Sequence, residues 1–461
     1  MSAHRTVVLA TMAAAFIAMM DSSIINVAVY SIGSDLRASL PQMGMMISGY
    51  VLFYGLFLVT GGRLGDIHGH RRLFLVGLSA FTLVSAACSV APDPESLIVL
   101  RCAQGTAAAL FFPQVLSMVH TTLPGPERER ALSLFGMVIG LAGVVGQVLT
   151  GVLLHANILG LTWHQVFLIN IPVGLAAIIG VAVATLRKPP RKRRAARSEL
   201  DVRGAALLAA GMLLCVFPIT EGRVLGWPWW CFLLLGGSVP VLVLFWVWER
   251  RLAARGGQPL ATPALWRLSG YRLGNAVLVT LLGANAAFFF VLVIQVQGPL
   301  RYSPLAAGLL LTPHAIAFGA TSVLARKRTG AAVLVLGCAL NVLGYALALV
   351  AALAGPNGIA LIPALLVTGV GQGLIVAPLV GRILADVPEG HAGAASGVME
   401  TSIQLAVSFG ITVIGLVYFA GHSPKAAYTV SLAVIVGLAV TALALVVALL
   451  RAPSAERTTT R

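Results

Sequence analysis

The chain is a succession of long apolar runs, each about as long as a bilayer is thick. A helix that crosses the hydrocarbon core needs about 20 mostly apolar residues. Fourteen runs meet that rule, roughly 6–31, 42–61, 72–91, 96–120, 131–154, 165–186, 204–220, 229–248, 274–297, 305–325, 331–353, 359–381, 394–419 and 426–450. Between them they leave little room for a water-facing surface. Only 10% of the 461 residues are charged, against about 25% in soluble domains, and mean hydropathy is +0.94. Such a surface has to face lipid, where every backbone polar group must be bonded internally, so helices or a closed barrel remain. A barrel would show alternating segments of about ten residues, and none stand out. The expected fold class is therefore an all-α integral membrane protein. The seventh and eighth runs are the shakiest, because Pro218 and the Trp227–Trp230 cluster resemble interfacial turns.

Charge distribution orients the spans. With both termini and the even-numbered loops on one side, that side holds 26 Lys and Arg. The other side holds Arg37, Arg223, Arg301 and Lys425, and Arg101 lies inside a span. This asymmetry places both termini in the cytoplasm. It also accounts for the net charge of +16 without a nucleic-acid partner. The basic run Arg187–Arg203 reads as a cytoplasmic connector touching anionic headgroups. The first run carries Arg5, is broken by Asp21 and has no small-residue cleavage site, so it reads as a span rather than a removable signal. The five cysteines sit in apolar runs without ligand spacing, and no zinc pattern or P-loop appears. Neither a metal nor another cofactor is expected, nor an enzyme; energy would come from an ion gradient or a partner.

Spans 1–6 and 9–14 occupy stretches of similar length, which fits two six-helix halves around a central cavity, a standard transporter plan. The expected divisions are an N-terminal half over 1–187, basic connectors with two extra helices over 188–272, a C-terminal half over 273–451, and a cytoplasmic tail over 452–461.

The segment Gly61-Gly62-Arg63-Leu64-Gly65-Asp66-Ile67-His68-Gly69-His70-Arg71-Arg72 joins spans 2 and 3. Its glycines permit close helix approach, and Asp66 beside Arg71 and Arg72 can form a charge latch. It resembles the signature loop of the major facilitator superfamily, with Gly62, Gly65, Asp66, Gly69, Arg71 and Arg72 at the motif positions. Met20-Asp21-Ser22-Ser23-Ile24-Ile25-Asn26 is similar to the first-span motif of that superfamily's fourteen-span drug:proton antiporters. Arg101-Cys102-Ala103-Gln104-Gly105 resembles their fourth-span motif. Gly136, Gly140, Gly143, Gly146 and Gly151 stand where their fifth-span antiporter motif lies, although its usual Gly-Pro reads Gly146-Gln147 and its Gly-Gly reads Thr150-Gly151. Trp163 to Pro172 is similar to their entry into span 6, and Glu249 with Pro259-Leu260 to their link into span 9. His70 and His164 depart from the residues usual at those positions.

A charge at the bilayer centre costs about 2.5–3.5 kcal/mol on insertion scales, so each one needs a reason. Asp21 lies about 24 Å along its helix from Arg5, and Arg101 about 8 Å in from the opposite face. Both fall at similar depth and can pair if spans 1 and 4 adjoin. Asp21 is the candidate proton carrier and Arg101 its electrostatic partner; Glu400 is a second proton or cation site. Asn26, Gln104, Asn285, Phe289, His314 and Gln404 are candidate cavity-lining groups. For His314 a hydrogen-bonded packing role weighs somewhat more than titration.

The resemblance implies proton-coupled efflux of small amphipathic toxic compounds, drugs or antibiotics, by alternating access. The expected partners are that substrate, protons and lipid, with the chain acting as a monomer. Ala, Gly and Arg richness suggests a bacterial source, hence a multi-pass inner-membrane protein. Proton-coupled uptake on the same fold, and a non-transporting membrane sensor, are the rival readings.

Overall fold

A computed structural model describes residues 3–123, 125–157, 160–186, 201–222, 225–257, 259–260, 263, 265–325, 330–355, 357–385, 387, 392–421 and 423–451. Most of the basic connector, Arg326–Arg328 and the tail 452–461 lie outside these residues, as does the side chain of Asp66. Among the described residues every regular element is helical. In order these are α1 (Ala3–Asp35), α2 (Leu40–His68), α3 (His70–Cys88), α4 (Pro94–Thr122), α5 (Gly125–Ala156), α6 (His164–Leu168), α7 (Asn170–Leu186) and α8 (Val202–Glu221). They continue with α9 (Trp229–Ala254), α10 (Ser269–Gln297), α11 (Pro304–Ala325), α12 (Ala331–Ala354), α13 (Ile362–Ala385), α14 (Ala392–Phe419) and α15 (Pro424–Arg451). Thirteen helical segments among the described residues are long and apolar enough to cross a membrane, and α5 contributes a shorter apolar stretch, Leu141–Ala156. The sixth run is one membrane segment built from α6 and α7, joined at Ile169. The seventh and eighth are helices despite Pro218, which sits inside α8.

Helix starts follow local chemistry. Ser39 caps α2 in a reciprocal capping box with Gln42, which answers backbone N–H groups that have no helical partner. Asp93 accepts from the Ser96 amide at 2.7 Å to start α4, with Pro94 at the first helical position. Asp201 does the same for α8 through the Gly204 amide at 2.9 Å.

The segment expected as a loop between spans 2 and 3 is mostly helix. α2 runs through Gly61, Gly62 and Gly65 to His68, and α3 begins at His70. The joint is Gly69 alone, with φ +92°, a backbone state that L side chains rarely adopt. The preceding glycines do not unwind α2 because they serve packing: a Cβ on Gly61 would lie 2.1 Å from the Ala109 carbonyl oxygen.

The described chain divides into two compact units, Met1–Ala205 and Ala206–Arg461. In the first, α2 lies along α4, α3 also packs on α4, and α1 packs on α5 and α7. A Cβ on Gly105 would stand 2.2 Å from the Tyr50 carbonyl oxygen, so α2 and α4 touch backbone to backbone. In the second, α10 packs on α14 and α15, while α11 and α12 share α13. A Cβ on Gly410 would reach the Gly283 carbonyl oxygen at 2.2 Å. Tyr271, Leu278, Leu281, Cys338, Ile375 and Leu379 form part of this unit's core. All five cysteines are free thiols, with Cys88, Cys231 and Cys338 buried.

These contacts predict opposite outcomes for two Gly→Ala changes. Gly105→Ala overpacks the α2–α4 contact and should destabilise by about 1–3 kcal/mol. Gly237→Ala meets nothing within 4 Å and gains helix propensity of up to about 1 kcal/mol, so it should be neutral or stabilising. Thermal unfolding of the detergent-purified variants reads both.

Candidate functional site

Four helices of the first unit bring polar side chains to one point inside an apolar bundle. α1 supplies Asp21 and α4 supplies Arg101 and Gln104, three residues apart and therefore on one helix face. α3 supplies Ser85, and α7 opens with Asn170. Asp21, Arg101, Gln104, Ser85 and Asn170 are all fully buried, at 0% exposure.

The bonds form a closed cluster. Arg101 Nη1 donates to Asp21 Oδ2 at 2.5 Å and to Gln104 Oε1 at 2.6 Å. Gln104 Nε2 donates to Asp21 Oδ1 at 3.0 Å, and Asn170 Nδ2 donates to the same oxygen at 2.7 Å. Ser85 Oγ accepts from Asn170 Nδ2 at 3.0 Å and donates to the Phe167 carbonyl at 3.0 Å. Arg101 Nε donates to the Met46 carbonyl of α2 at 3.0 Å. Its guanidinium also lies over the Tyr50 ring, 4.4 Å from the centroid, a cation–π contact that strengthens when desolvated. Asp21 thus accepts three donors, one of them charged. Arg101 Nη2 is buried and has no hydrogen-bond partner among the described residues.

Two glycines of the fifth-span motif face this site. A Cβ on Gly146 would lie 3.0 Å from the Met20 carbonyl oxygen, and one on Gly143 would lie 3.7 Å from Ser23 Oγ. Both neighbours flank Asp21 on α1. Gly151 is buried; Gly136 and Gly140 lie in α5 at positions whose surroundings are outside the description. Asn26 is half-buried and its amide turns back to its own helix, at the Ser22 carbonyl 3.5 Å away.

At the α2–α3 joint the structure displays a tie that the motif alone does not reveal. Gln114 of α4 donates through Nε2 to the Gly61 carbonyl at 2.8 Å. Its Oε1 lies 2.9 Å from His70 Nδ1, and a Cβ on Gly65 would collide with its amide group. Gln114 therefore binds α2, α3 and α4 at one place. Gly62 has a looser contact, Pro113 Cβ at 3.8 Å. Arg71 is half-buried and Arg72 exposed. The latch expected from Asp66 falls on a side chain outside the description.

In the second unit the candidate residues separate into two groups. Asn285 Nδ2 donates to Tyr345 Oη at 3.4 Å, Tyr345 contacts Phe288 with centroids 5.1 Å apart, and Phe289 meets His314 edge-on at 4.8 Å. His314 is buried, with Nδ1 3.1 Å from Thr368 Oγ1. Glu400 stands apart on α14, half-buried, with Oε1 accepting from Gln404 Nε2 at 2.7 Å. Among the described residues no group of three or more His, Cys, Asp or Glu is placed to hold a metal ion.

Asn170 and Ser85 are the residues that sequence reasoning left out of the site. Asn170 carried a signal, an amide at the entry to an apolar run. Ser85 carried none, since serine occurs in many spans.

A many-spanning helical protein with a carboxylate and an arginine buried together in its bundle has the architecture of a secondary membrane transporter. The sequence matches the family described as Major Facilitator Superfamily over residues 11–411, and the chain belongs to that superfamily. It is 38% identical to a probable actinorhodin transporter of Streptomyces coelicolor over 87% of this chain and 70% of that protein. It is 34% identical to the cephamycin export protein CmcT of Amycolatopsis lactamdurans over 96% and 91% of the two chains. With the puromycin resistance protein pur8 of Streptomyces alboniger it shares 32% identity, over 93% and 87%. Among solved structures it is similar in fold to a POT family transporter in complex with a thioalcohol conjugated peptide, with TM-score 0.70, 13% identity and coverage of 97% and 96%. A bacterial homolog of the human lysosomal transporter Spinster is similar too, with TM-score 0.67, 15% identity and coverage of 97% of both chains. The chain is a multi-pass bacterial plasma-membrane transporter, not an enzyme.

The cluster geometry predicts an asymmetric mutant cycle. Arg101→Met leaves the Asp21 carboxylate buried without its cation and should destabilise by about 3–5 kcal/mol. Adding Asp21→Asn to that variant removes the stranded charge and should recover much of the loss. Thermal unfolding of the single and double variants measures the coupling.

Proposed function

We propose that this protein exports small amphipathic toxic compounds, antibiotics among them, in exchange for protons by alternating access. The observation that carries the coupling step is the buried Asp21 carboxylate, shared between Arg101, Gln104 and Asn170. The functions of the relatives, export of or resistance to antibiotics, support the substrate class.

The chemistry of coupling follows from the bonds. In the conformation described, Asp21 accepts from three donors and lies out of reach of water. A proton that arrives at Asp21 removes the charge that holds Arg101 and turns one oxygen into a donor, which weakens these amide and guanidinium contacts. Arg101 would then have to find another acceptor, and its unpartnered Nη2 already lacks one. Protonation at this point therefore loosens α1 from α4 and α7, which is how one proton can bias a change between two packed states. Gly143 and Gly146 leave α1 a smooth neighbour on α5 during such a shift. At the cytoplasmic end, the joint at Gly69 and the Gln114 tie would close the gate.

Glu400 has a different setting and, on this reading, a different task. Among the described residues its carboxylate accepts from the neutral amide of Gln404. A half-buried carboxylate held by a neutral amide suits the positive charge of a substrate. The Phe289–His314 contact and the Asn285–Tyr345 pair offer aromatic faces and a few polar groups, the lining that amphipathic ligands use. The substrate and the protons are the partners this mechanism needs, and it works as a monomer in the lipid bilayer.

Asp21→Asn should abolish gradient-driven drug efflux in a hypersensitive bacterial host, with efflux read per amount of protein in the membrane because the variant also strands the Arg101 charge. Efflux at the wild-type rate would remove Asp21 from the mechanism, and efflux that survives a protonophore would remove proton coupling altogether. Glu400→Gln should weaken resistance to cationic compounds by about tenfold, as expected for loss of about 1.4 kcal/mol, and spare neutral ones. Resistance assays with a matched cationic and neutral panel decide that point.

A further inference from the structure

The sixth span is broken between α6 and α7, and Asn170 is the first residue after the break. The donor end of its side-chain amide is fully used. Nδ2 donates to Asp21 Oδ1 at 2.7 Å and to Ser85 Oγ at 3.0 Å. The acceptor end is not used: Oδ1 is buried and has no hydrogen-bond partner among the described residues. Buried polar atoms are nearly always bonded, so an idle acceptor beside the carboxylate assigned to coupling calls for a reason.

That acceptor has a use once Asp21 changes charge. An ionised carboxylate only accepts, whereas a protonated one has an O–H that needs an acceptor. The other side chains bonded to Asp21 cannot supply one. Arg101 carries N–H donors alone. Gln104 is fixed as a donor toward Asp21, because its Oε1 accepts from Arg101 Nη1 at 2.6 Å and from Cys88 Sγ at 3.8 Å. Turning that amide over would set its NH2 group against the guanidinium, two donors face to face.

Asn170 has no such tie. A half-turn about its Cβ–Cγ bond exchanges Nδ2 and Oδ1, which puts the oxygen where the nitrogen stands, 2.7 Å from Asp21 Oδ1. Nδ2 takes the unpartnered place, so that place holds one unanswered group before and after. Ser85 can answer by rotating its hydroxyl. It keeps Gln104 Nε2 as a donor at 3.3 Å and moves its own O–H from the Phe167 carbonyl to Asn170 Oδ1. The other titratable groups around Asp21 and Arg101 are Tyr50 on α2, Cys88 on α3 and Cys102 on α4, whose ordinary protonated forms are neutral. Tyr50 Oη is committed to the Ala18 carbonyl at 3.1 Å, and α5 presents Gly143 and Gly146. The charge change that this site answers is thus that of Asp21.

We propose that Asn170 is a positioning residue for proton coupling: it donates to ionised Asp21 and, after a half-turn of its amide, accepts the O–H of protonated Asp21. The proposal rests on the reading of Asp21 as the proton carrier. One proton from water adds to Asp21 Oδ1 and neutralises the carboxylate, and no other group gains or loses a proton. The bonds from α4 depend on that charge and stay weakened, whereas the bond to α7 is remade with donor and acceptor exchanged. Protonated Asp21 therefore stays with α7 as α1 parts from α4, which gives the loosening a direction. Release of the Phe167 carbonyl by Ser85 carries the same event to the joint between α6 and α7.

The test follows the full-length protein in detergent by infrared difference spectroscopy between alkaline and acid pH. Asparagine labelled with carbon-13 at the side-chain carbonyl separates its band from the backbone. Protonated Asp21 gives the carboxyl band that Asp21→Asn removes. Asn170 gives the labelled amide band that Asn170→Leu removes, and unlabelled glutamine in Asn170→Gln makes the same assignment should the leucine variant not fold. The Asn170 band should shift to lower frequency as the Asp21 carboxyl band appears, because its carbonyl gains the O–H as a donor, and this shift should be lost in Asp21→Asn. A merely structural asparagine would keep its carbonyl band in place at both pH values. If the Asp21 band appears and the Asn170 band stays, Asn170 remains a donor and the inference is overturned, while Asp21 keeps its proton role. If no carboxyl band depends on Asp21, the proton reading itself fails and the inference with it.

Discussion

The buried pair of Asp21 and Arg101 sets the terms for the N-terminal unit. Each ion loses several kcal/mol of hydration on entering an apolar bundle, and mutual attraction offsets this only when the remaining lone pairs and N–H groups are also answered. Here the answers come from separate helices: an amide from α4, an amide from α7, a hydroxyl from α3 through that amide, and a carbonyl and an aromatic ring from α2. A slip of one residue along any of them moves a side chain by about 1.5 Å and turns it by about 100°, which would leave a charge stranded. The depth and rotation of five helices are thus coupled to a single carboxylate. Close approach is possible because Gly105 and Gly146 carry no Cβ where α4 meets α2 and α5 meets α1.

The second unit has no comparable ion pair among the described residues. Its internal ties are neutral, such as His314 with Thr368 and Asn275 with Ser402, the latter at 3.2 Å. Neutral pairs cost less to break than a buried charge pair. Among the described residues, the Glu400 carboxylate is held by the Gln404 amide. The proposed exchange of protons for an amphipathic cargo would use this division: the charged cluster of one unit would respond to protonation, and the Glu400 carboxylate of the other would meet cargo.

The α2–α3 joint shows how a signature motif does its work through residues outside it. The glycines at 61 and 65 matter because Gln114 and Ala109 of α4 come against them. His70, which departs from the residue usual at that position, makes its contact with the same glutamine. The structure therefore explains why the joint is a single glycine with positive φ and not a flexible loop: both helices are already pinned to α4 on either side of it.

The number of spans, the all-helical class and the presence of two charges deep in the first unit were legible in the sequence, because lipid imposes a length on each helix and makes every buried charge conspicuous. The pairing of Asp21 with Arg101 was legible as a possibility from their matching depth. Asn170 showed only as an amide at the entry to an apolar run, and Ser85 and Gln114 not at all. They are neutral, so they cost little in a span, and their roles arise only when tertiary packing aims them at a carboxylate or at a backbone carbonyl. The glycines divide the same way: their abundance shows in the sequence, but which of them removes a collision is decided by the helix lying opposite.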